Sequence, residues 1–140
     1  MLRMTSSLAR EIRAQGEAAY PNECCGALLG LWDPEGVREA TGIFPIPNAR
    51  ESGEQYHRFV ITPEDFLRAE KAARAEGLEV LGFYHSHPDH PAAPSDYDRE
   101  HALPVYAYVI TAVADGRAEA MTSWRLSPDR ARFDPEDILI

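Results

Sequence analysis

The run Leu78-Glu79-Val80-Leu81-Gly82-Phe83-Tyr84 constrains the fold more than any other stretch of the chain. It is short and almost wholly apolar. Gly77 precedes it and His85-Ser86-His87-Pro88 follows it. A run of that length and composition reads as a buried strand. A buried strand needs neighbours on either side and covering layers on its faces. The remaining segments can supply both. Ser7–Ala19 reads as a helix capped by Ser6 or Ser7, with Leu8, Ile12 and Ala19 toward the core. Gly26–Trp32 and Val37–Phe44 read as strands joined through Asp33-Pro34-Glu35-Gly36, a turn-forming tetrapeptide. Pro45, Pro47 and Asn48 open a polar loop past Gly53, and Tyr56–Ile61 reads as a short strand.

Thr62-Pro63-Glu64-Asp65 is a helix start: Thr62 as cap, Pro63 at the first helical position and acids in the first turn. Phe66, Leu67, Glu70 and Ala73 continue the helix, and Gly77 stops it. After the Pro-, His- and Asp-rich stretch His85–Pro94, Ser95 begins a second short helix. Val105–Val113 is strongly β in composition, and Ala114-Asp115-Gly116 turns it into Arg117–Leu126. Phe133–Ile140 reads as a peripheral segment. Helix, hairpin, helix, strand, helix, hairpin is the order of an α/β single domain, residues 1–140, with one mixed central β-sheet flanked by helices.

Composition narrows the functional classes. The chain carries 23 acidic and 14 basic residues, a net charge of −9. That balance speaks against a nucleic-acid phosphate binder, which carries a basic stripe. No apolar run reaches the roughly 18 residues of a membrane span, and the N-terminus lacks the apolar core of a secretory signal. Cys24 and Cys25 are adjacent, so they do not form a disulfide framework. A cytoplasmic protein is the default expectation.

The chemistry concentrates where the buried strand ends. Residues i and i+2 of a strand share a face, roughly 6.6 Å apart along the chain. His85 and His87 can therefore converge on one ion, about 2.0–2.1 Å from each ring nitrogen. A third ligand has to come from the following loop. Ser95-Asp96-Tyr97-Asp98 offers one, although Ser-x-x-Asp is also the pattern of a capping box, which explains the pair without any metal. Two histidines and a carboxylate from one strand–loop–helix unit match the open three-ligand site of a catalytic zinc, in which a water of pKa about 7 fills the fourth position. Glu23, just before the strand Gly26–Trp32, is the candidate base; an exposed loop glutamate is the plainer reading. His90, Asp89 and Asp96 are alternative loop groups, while His57 and His101 read as structural. Cys24 and Cys25 read as small buried packing and not as a catalytic thiol, because nothing in the sequence places a histidine to activate one and His85 and His87 are better used on metal. Tyr106, Tyr108 and Trp124 read as core or sheet surface.

Glu23, then His85-Ser86-His87-Pro88, six residues, Ser95, two residues and Asp98 resemble the signature of the JAMM (MPN+, JAB-domain) metalloproteases. The likeness extends along nearly the whole chain, since the order of helices and strands also resembles that domain, whose fold is related to the cytidine deaminases. The resemblance implies one Zn²⁺ per chain on His85, His87 and Asp98, Glu23 as general acid/base, and Ser95 as hydrogen-bond donor to the developing oxyanion. It implies hydrolysis of a peptide or isopeptide bond without a covalent intermediate. Asn22-Glu23-Cys24-Cys25-Gly26, Pro47-Asn48-Ala49 and the compact length resemble bacterial stand-alone members that act on sulfur-carrier proteins. The expected partner is then a ubiquitin-like sulfur carrier or its Gly-Gly C-terminal peptide, with no nucleic acid and no membrane. Two alternatives stand beside it: a peptidase on another peptide or ubiquitin-like conjugate, and a non-catalytic MPN scaffold. Only six residues separate Asp98 from Val105, too few for the large ubiquitin-gripping insertions of eukaryotic relatives.

Overall fold

A computed structural model describes residues 1–47 and 61–140. The expected strand Tyr56–Ile61 and the polar loop from Asn48 past Gly53 fall almost entirely outside the described residues. The elements are β1 (Leu2–Met4), α1 (Ser6–Ala19), β2 (Cys25–Trp32), β3 (Arg38–Ile46), α2 (Pro63–Ala75), β4 (Glu79–Pro88), α3 (Asp96–His101), β5 (Ala107–Ala114), β6 (Arg117–Leu126), β7 (Phe133–Glu136) and β8 (Ile138–Leu139). The strands form one mixed sheet in the order β7-β6-β5-β4-β2-β3-β1-β8. The hairpins β2/β3 and β5/β6 are antiparallel, and β4, at the centre, runs antiparallel to β2 and parallel to β5. This is the mixed α/β domain that the segment order implies.

The buried strand does what its composition demands. On one face Leu28, Leu81, Tyr84 and Val109 pack with Leu8, Ala9 and Ile12 of α1. On the other, Ala27, Leu29 and Phe83 pack with Ala69 and Ala73 of α2. Leu81 reaches the α1 side because the β2/β4 register slips there: Leu28 faces Gly82 and Leu29 faces Val80, leaving Leu81 as an extra residue.

The helix starts differ in detail. Thr5, and neither Ser6 nor Ser7, caps α1: its side chain accepts the Leu8 N–H at 3.1 Å. Thr62 caps α2 as expected and closes a full capping box with Asp65. Gly77, with φ of 72°, follows the end of α2 in the left-handed conformation that only glycine adopts without cost.

Two expectations need correction. The central strand does not end at Tyr84. It continues through Pro88, with His85 opposite Ile110 and His87 opposite Ala112 of β5. The segment Phe133–Ile140 is not peripheral either; it supplies both edge strands of the sheet, β7 and β8. Among the described residues no helix is long and apolar enough to cross a membrane.

Candidate active site

The extension of β4 sets the site. Phe83, His85 and His87 alternate onto the α2 side of the sheet, and both histidines are buried, at 2% and 8% exposure. Their rings stand 4.9 Å apart, centroid to centroid. Ser86, between them, points the other way and is fully buried. Its hydroxyl accepts the Cys24 N–H at 2.9 Å, and its own N–H donates to the Cys24 carbonyl at 3.1 Å. That exchange fixes the segment carrying Glu23 against the end of β4. Glu23 is buried, and its carboxylate lies within 4.8 Å of ring nitrogens of both histidines. The plainer reading of Glu23 as an exposed loop residue is thereby excluded.

Asp98 arrives from α3. Ser95 and Asp98 do form a capping box: the Ser95 hydroxyl accepts the Asp98 N–H at 3.1 Å, and Asp98 Oδ2 accepts the Ser95 N–H at 2.9 Å. The same carboxylate faces the histidines, with Oδ1 3.4 Å from His85 Nε2 and Oδ2 3.2 Å from His87 Nε2. The two readings of the Ser-x-x-Asp pattern hold together, because cap and site share one side chain.

The donor set can be tested against a metal. The two Nε2 atoms lie 3.1 Å apart, and each faces a different oxygen of Asp98, His85 at 3.4 Å from Oδ1 and His87 at 3.2 Å from Oδ2. Ligands about 2.0–2.1 Å from a tetrahedral ion stand about 3.3–3.4 Å from one another. The neighbouring spacings suit such an ion, with Asp98 supplying one carboxylate beside the two rings and Glu23 a second within 4.8 Å of both. The Nδ1 of His87 lies 2.9 Å from the Pro91 carbonyl. A carbonyl can only accept, so His87 carries a proton on Nδ1, and its neutral form presents a bare Nε2 to the centre.

Electrostatics favour an anion at Asp98 and a neutral ring at His85. Burial alone pushes the Asp98 carboxyl up, but the facing His85 and hydrogen bonds from His85, His87 and the Ser95 N–H outweigh it and hold the group well below the usual carboxylate range. Burial pulls the His85 imidazole below its ordinary value. His87 feels the same burial, but its hydrogen bonds to Asp98 and the Pro91 carbonyl raise it instead. The anionic Asp98 and the His85 imidazole held neutral by burial are in the protonation state that a divalent cation takes up, while the upward shift of His87 is the pull of the Asp98 carboxylate on a proton that a cation would displace.

Two cavities meet at this cluster. One, of about 560 Å³, is apolar: Phe66, Leu67, Phe83, Leu103 and Tyr108 line it up to His85 and Asp98. The other, of about 500 Å³, is the more polar of the two and runs from Glu23, His87, Ser95 and Asp98 to His90 and Asp96. Tyr97 borders both. The apolar cavity was not legible as a site. Phe66 and Leu67 read in the sequence only as the continuation of a helix, yet Leu67 is 58% exposed and Leu103 46% exposed, an exposure that helical periodicity alone does not reveal. Tyr108 lines the cavity too, and its hydroxyl accepts the Leu103 N–H at 2.7 Å.

The remaining candidates take structural places. Asp89 binds Tyr20 and Asp115 and not the cluster. His101 stacks on Tyr97 and bonds to its carbonyl. His57 lies outside the described residues. Cys25 is buried, donates to the Ile46 carbonyl, and is pushed far up by burial, so it is an inert thiol.

A mixed α/β sheet that brings two histidines and two carboxylates to one open cluster between two cavities defines a metal-dependent hydrolase of the JAMM type. The chain belongs to the prokaryotic homologs of the JAB domain, matching that family over residues 5–127. It is 37% identical over 101 residues to the desampylase of Haloferax volcanii, across 71% of this chain and 68% of that protein. It is 36% identical over 110 residues to a probable TtuB-protein conjugate cleaving protease of Thermus thermophilus, across 79% of this chain and 69% of the other. The crystal structure of a JAB1/MPN domain protein from Archaeoglobus fulgidus superposes with a TM-score of 0.58, covering all of both chains at 16% identity, a likeness of fold.

Proposed function

We propose that this chain is a zinc-dependent peptidase or isopeptidase, with one zinc on His85, His87 and Asp98, acting at the Gly-Gly C-terminal tail of a ubiquitin-like sulfur-carrier protein. The observation that carries the reading is the meeting of the two cavities at the His85–His87–Asp98 cluster, with Glu23 on the polar side. The names of two relatives, a desampylase and a conjugate-cleaving protease, support the substrate class. Two nitrogens, one oxygen and an open position suit zinc. When bound, zinc supplies Lewis acidity at the scissile carbonyl and a water of pKa about 7.

The protein's own groups do the rest. Glu23 accepts the proton of the attacking water on its carboxylate and returns it to the leaving amine. The leaving group therefore lies in the polar cavity that Glu23 lines, and the carrier's tail approaches over the apolar one. Ser95 Oγ already accepts the Asp98 N–H, which leaves its O–H proton to donate to the carbonyl oxygen as negative charge develops there. A Gly-Gly tail, without side chains at the reacting end, can lie extended against the site and bind through backbone groups.

The test is cleavage of a sulfur carrier bearing one extra residue after Gly-Gly. The Glu23→Gln variant should keep close to one zinc per chain and lose roughly 10²–10⁴-fold in rate. Full activity in that variant removes Glu23 from the mechanism. A zinc-loaded wild type that cleaves no Gly-Gly-X tail removes the substrate assignment and leaves the metal centre untouched.

A further inference from the structure

The loop between β4 and α3 is held at two points, and the carbonyl that fixes His87 hangs between them. At the first point Asp89 turns the chain with φ of 56°. Its N–H donates to the Val113 carbonyl at 2.8 Å, Oδ1 accepts the Asp115 N–H at 2.9 Å, and Oδ2 accepts the Tyr20 hydroxyl at 2.6 Å. At the second point the Thr122 hydroxyl of β6 donates to the Ala92 carbonyl at 2.6 Å. Thr122 Oγ1 in turn accepts the Trp124 indole N–H at 2.8 Å. An indole can only donate, so the Thr122 proton is committed to Ala92. Ala92 itself is buried against Ile110, Ala112 and Trp124. Between these posts stands Pro91, whose carbonyl accepts both the His87 Nδ1–H and the Ala93 N–H.

We propose that Asp89 and Thr122 are positioning residues for the metal centre, acting on His87 through the Pro91 carbonyl. Neither faces the cluster. Each fixes one flank of a short loop, and together they decide whether the Pro91 oxygen lies in line with His87 Nδ1. That hydrogen bond selects the Nδ1–H tautomer and aims Nε2 at the centre. A ligand histidine depends on such a partner for both, and losing it typically costs about 10–100-fold in metal affinity. The inference rests on His87 being a metal ligand.

The experiment measures zinc binding to the purified full chain by competition with a chromophoric chelator. It also measures the His87 imidazole ¹⁵N shifts without metal. Thr122→Val removes the hydroxyl at nearly constant volume; Asp89→Ala removes the carboxylate. Each should weaken zinc about 10-fold or more and admit the Nε2–H tautomer of His87, and the double variant should lose about 100-fold. Thr122→Ser retains the hydroxyl and should bind zinc as the wild type does; Asp89→Asn keeps one acceptor oxygen and turns the other into an N–H donor, so it should fall between the wild type and Asp89→Ala. Trp124→Phe, which frees the Thr122 oxygen, gives a smaller shift in the same direction and serves if Thr122→Val does not fold. Folded variants with wild-type zinc affinity and an unchanged His87 tautomer overturn the proposal, whatever their melting temperatures. Loss of zinc binding by wild type and variants alike would instead refute the metal centre itself.

Discussion

Asp98 shows how one side chain can carry two loads. Its carboxylate caps α3 through the Ser95 N–H and faces both histidine Nε2 atoms at 3.2 and 3.4 Å. The pattern Ser-x-x-Asp could not separate these roles, because the spacing that closes a capping box also points the carboxylate back over the preceding loop. His85 and His87 were legible for a simpler reason: strand periodicity puts residues two apart on one face. Glu23 was not legible from spacing, because what buries it is the exchange of hydrogen bonds between Cys24 and Ser86, 62 residues apart. Asp98→Asn separates the two loads. Its amide oxygen can still accept the Ser95 N–H, so the stability loss should stay within about 1 kcal/mol, the worth of a cap. The negative charge between the rings is gone, and zinc affinity should fall by more than the roughly 10–100-fold that an outer partner costs. Paired denaturation and zinc titrations check this; a variant that unfolds easily yet binds zinc normally would assign Asp98 to the cap alone.

At the scale of elements, α2 is the wall of the apolar cavity, and its first turn holds it in place. The Thr62 hydroxyl accepts the Asp65 N–H at 3.1 Å, Asp65 Oδ2 accepts the Thr62 N–H at 3.2 Å, and Arg68 donates to Asp65 Oδ1 at 2.6 Å. This start was fully legible, since a capping box is a local pattern of four residues. Burial pushes the Asp65 carboxyl up, but the bonds from Arg68 and Thr62 outweigh it and hold the group below its ordinary range. A carboxyl depressed in the folded state stabilises the fold fully above its unfolded pKa of about 3.9, and that contribution fades as pH falls through the lower folded value. Urea unfolding should therefore show stability falling below about pH 4, with a shallower acid slope in Asp65→Asn. Thr62→Ala should cost about 1 kcal/mol near neutral pH. An acid slope unchanged in Asp65→Asn would mean that other carboxylates carry the effect. The end of β4 was less legible: Pro88 and the polar His-Ser-His suggest a loop, and only the register with β5 shows a strand.

For the whole molecule the decisive feature is that the two edge strands, β7 and β8, are separated by the single residue Asp137. Eight strands laid flat put the edges seven spacings of about 4.8 Å apart, roughly 34 Å, a distance that one residue cannot span. The sheet must curl until its edges meet. It curls around α1: Met121 of β6 and Ile138 of β8 pack on the same cluster as Leu8, Ala9 and Ile12. None of this is visible in Phe133–Ile140, whose Asp-Pro-Glu-Asp centre reads as loop and whose partners lie far away in sequence. Pro135 fits because β7 is an edge, where a missing N–H costs no ladder bond. Across the closure, Arg38 of β3 is 1% exposed and donates to the Val105 carbonyl. Its Nη1 stands 3.6 Å from Glu136 Oε2, which also accepts the Ser123 hydroxyl at 3.0 Å. Removing one partner of a buried ion pair leaves the other charge uncompensated and costs about 3–5 kcal/mol. Glu136→Ala should fall at the lower end of that range, since the Val105 carbonyl and the Trp32 ring, 4.5 Å from the guanidinium carbon, remain for Arg38. The pair Arg38→Met with Glu136→Leu should recover most of the loss, because apolar groups of similar volume leave no buried charge behind. Zinc affinity should be unchanged throughout, since neither residue borders either cavity at the His85–His87–Asp98 cluster. A double variant as unstable as Glu136→Ala alone would mean that the loss comes from the other contacts of the Glu136 carboxylate, with the Ser123 hydroxyl and the Met1 ammonium, and not from a buried charge left without its partner.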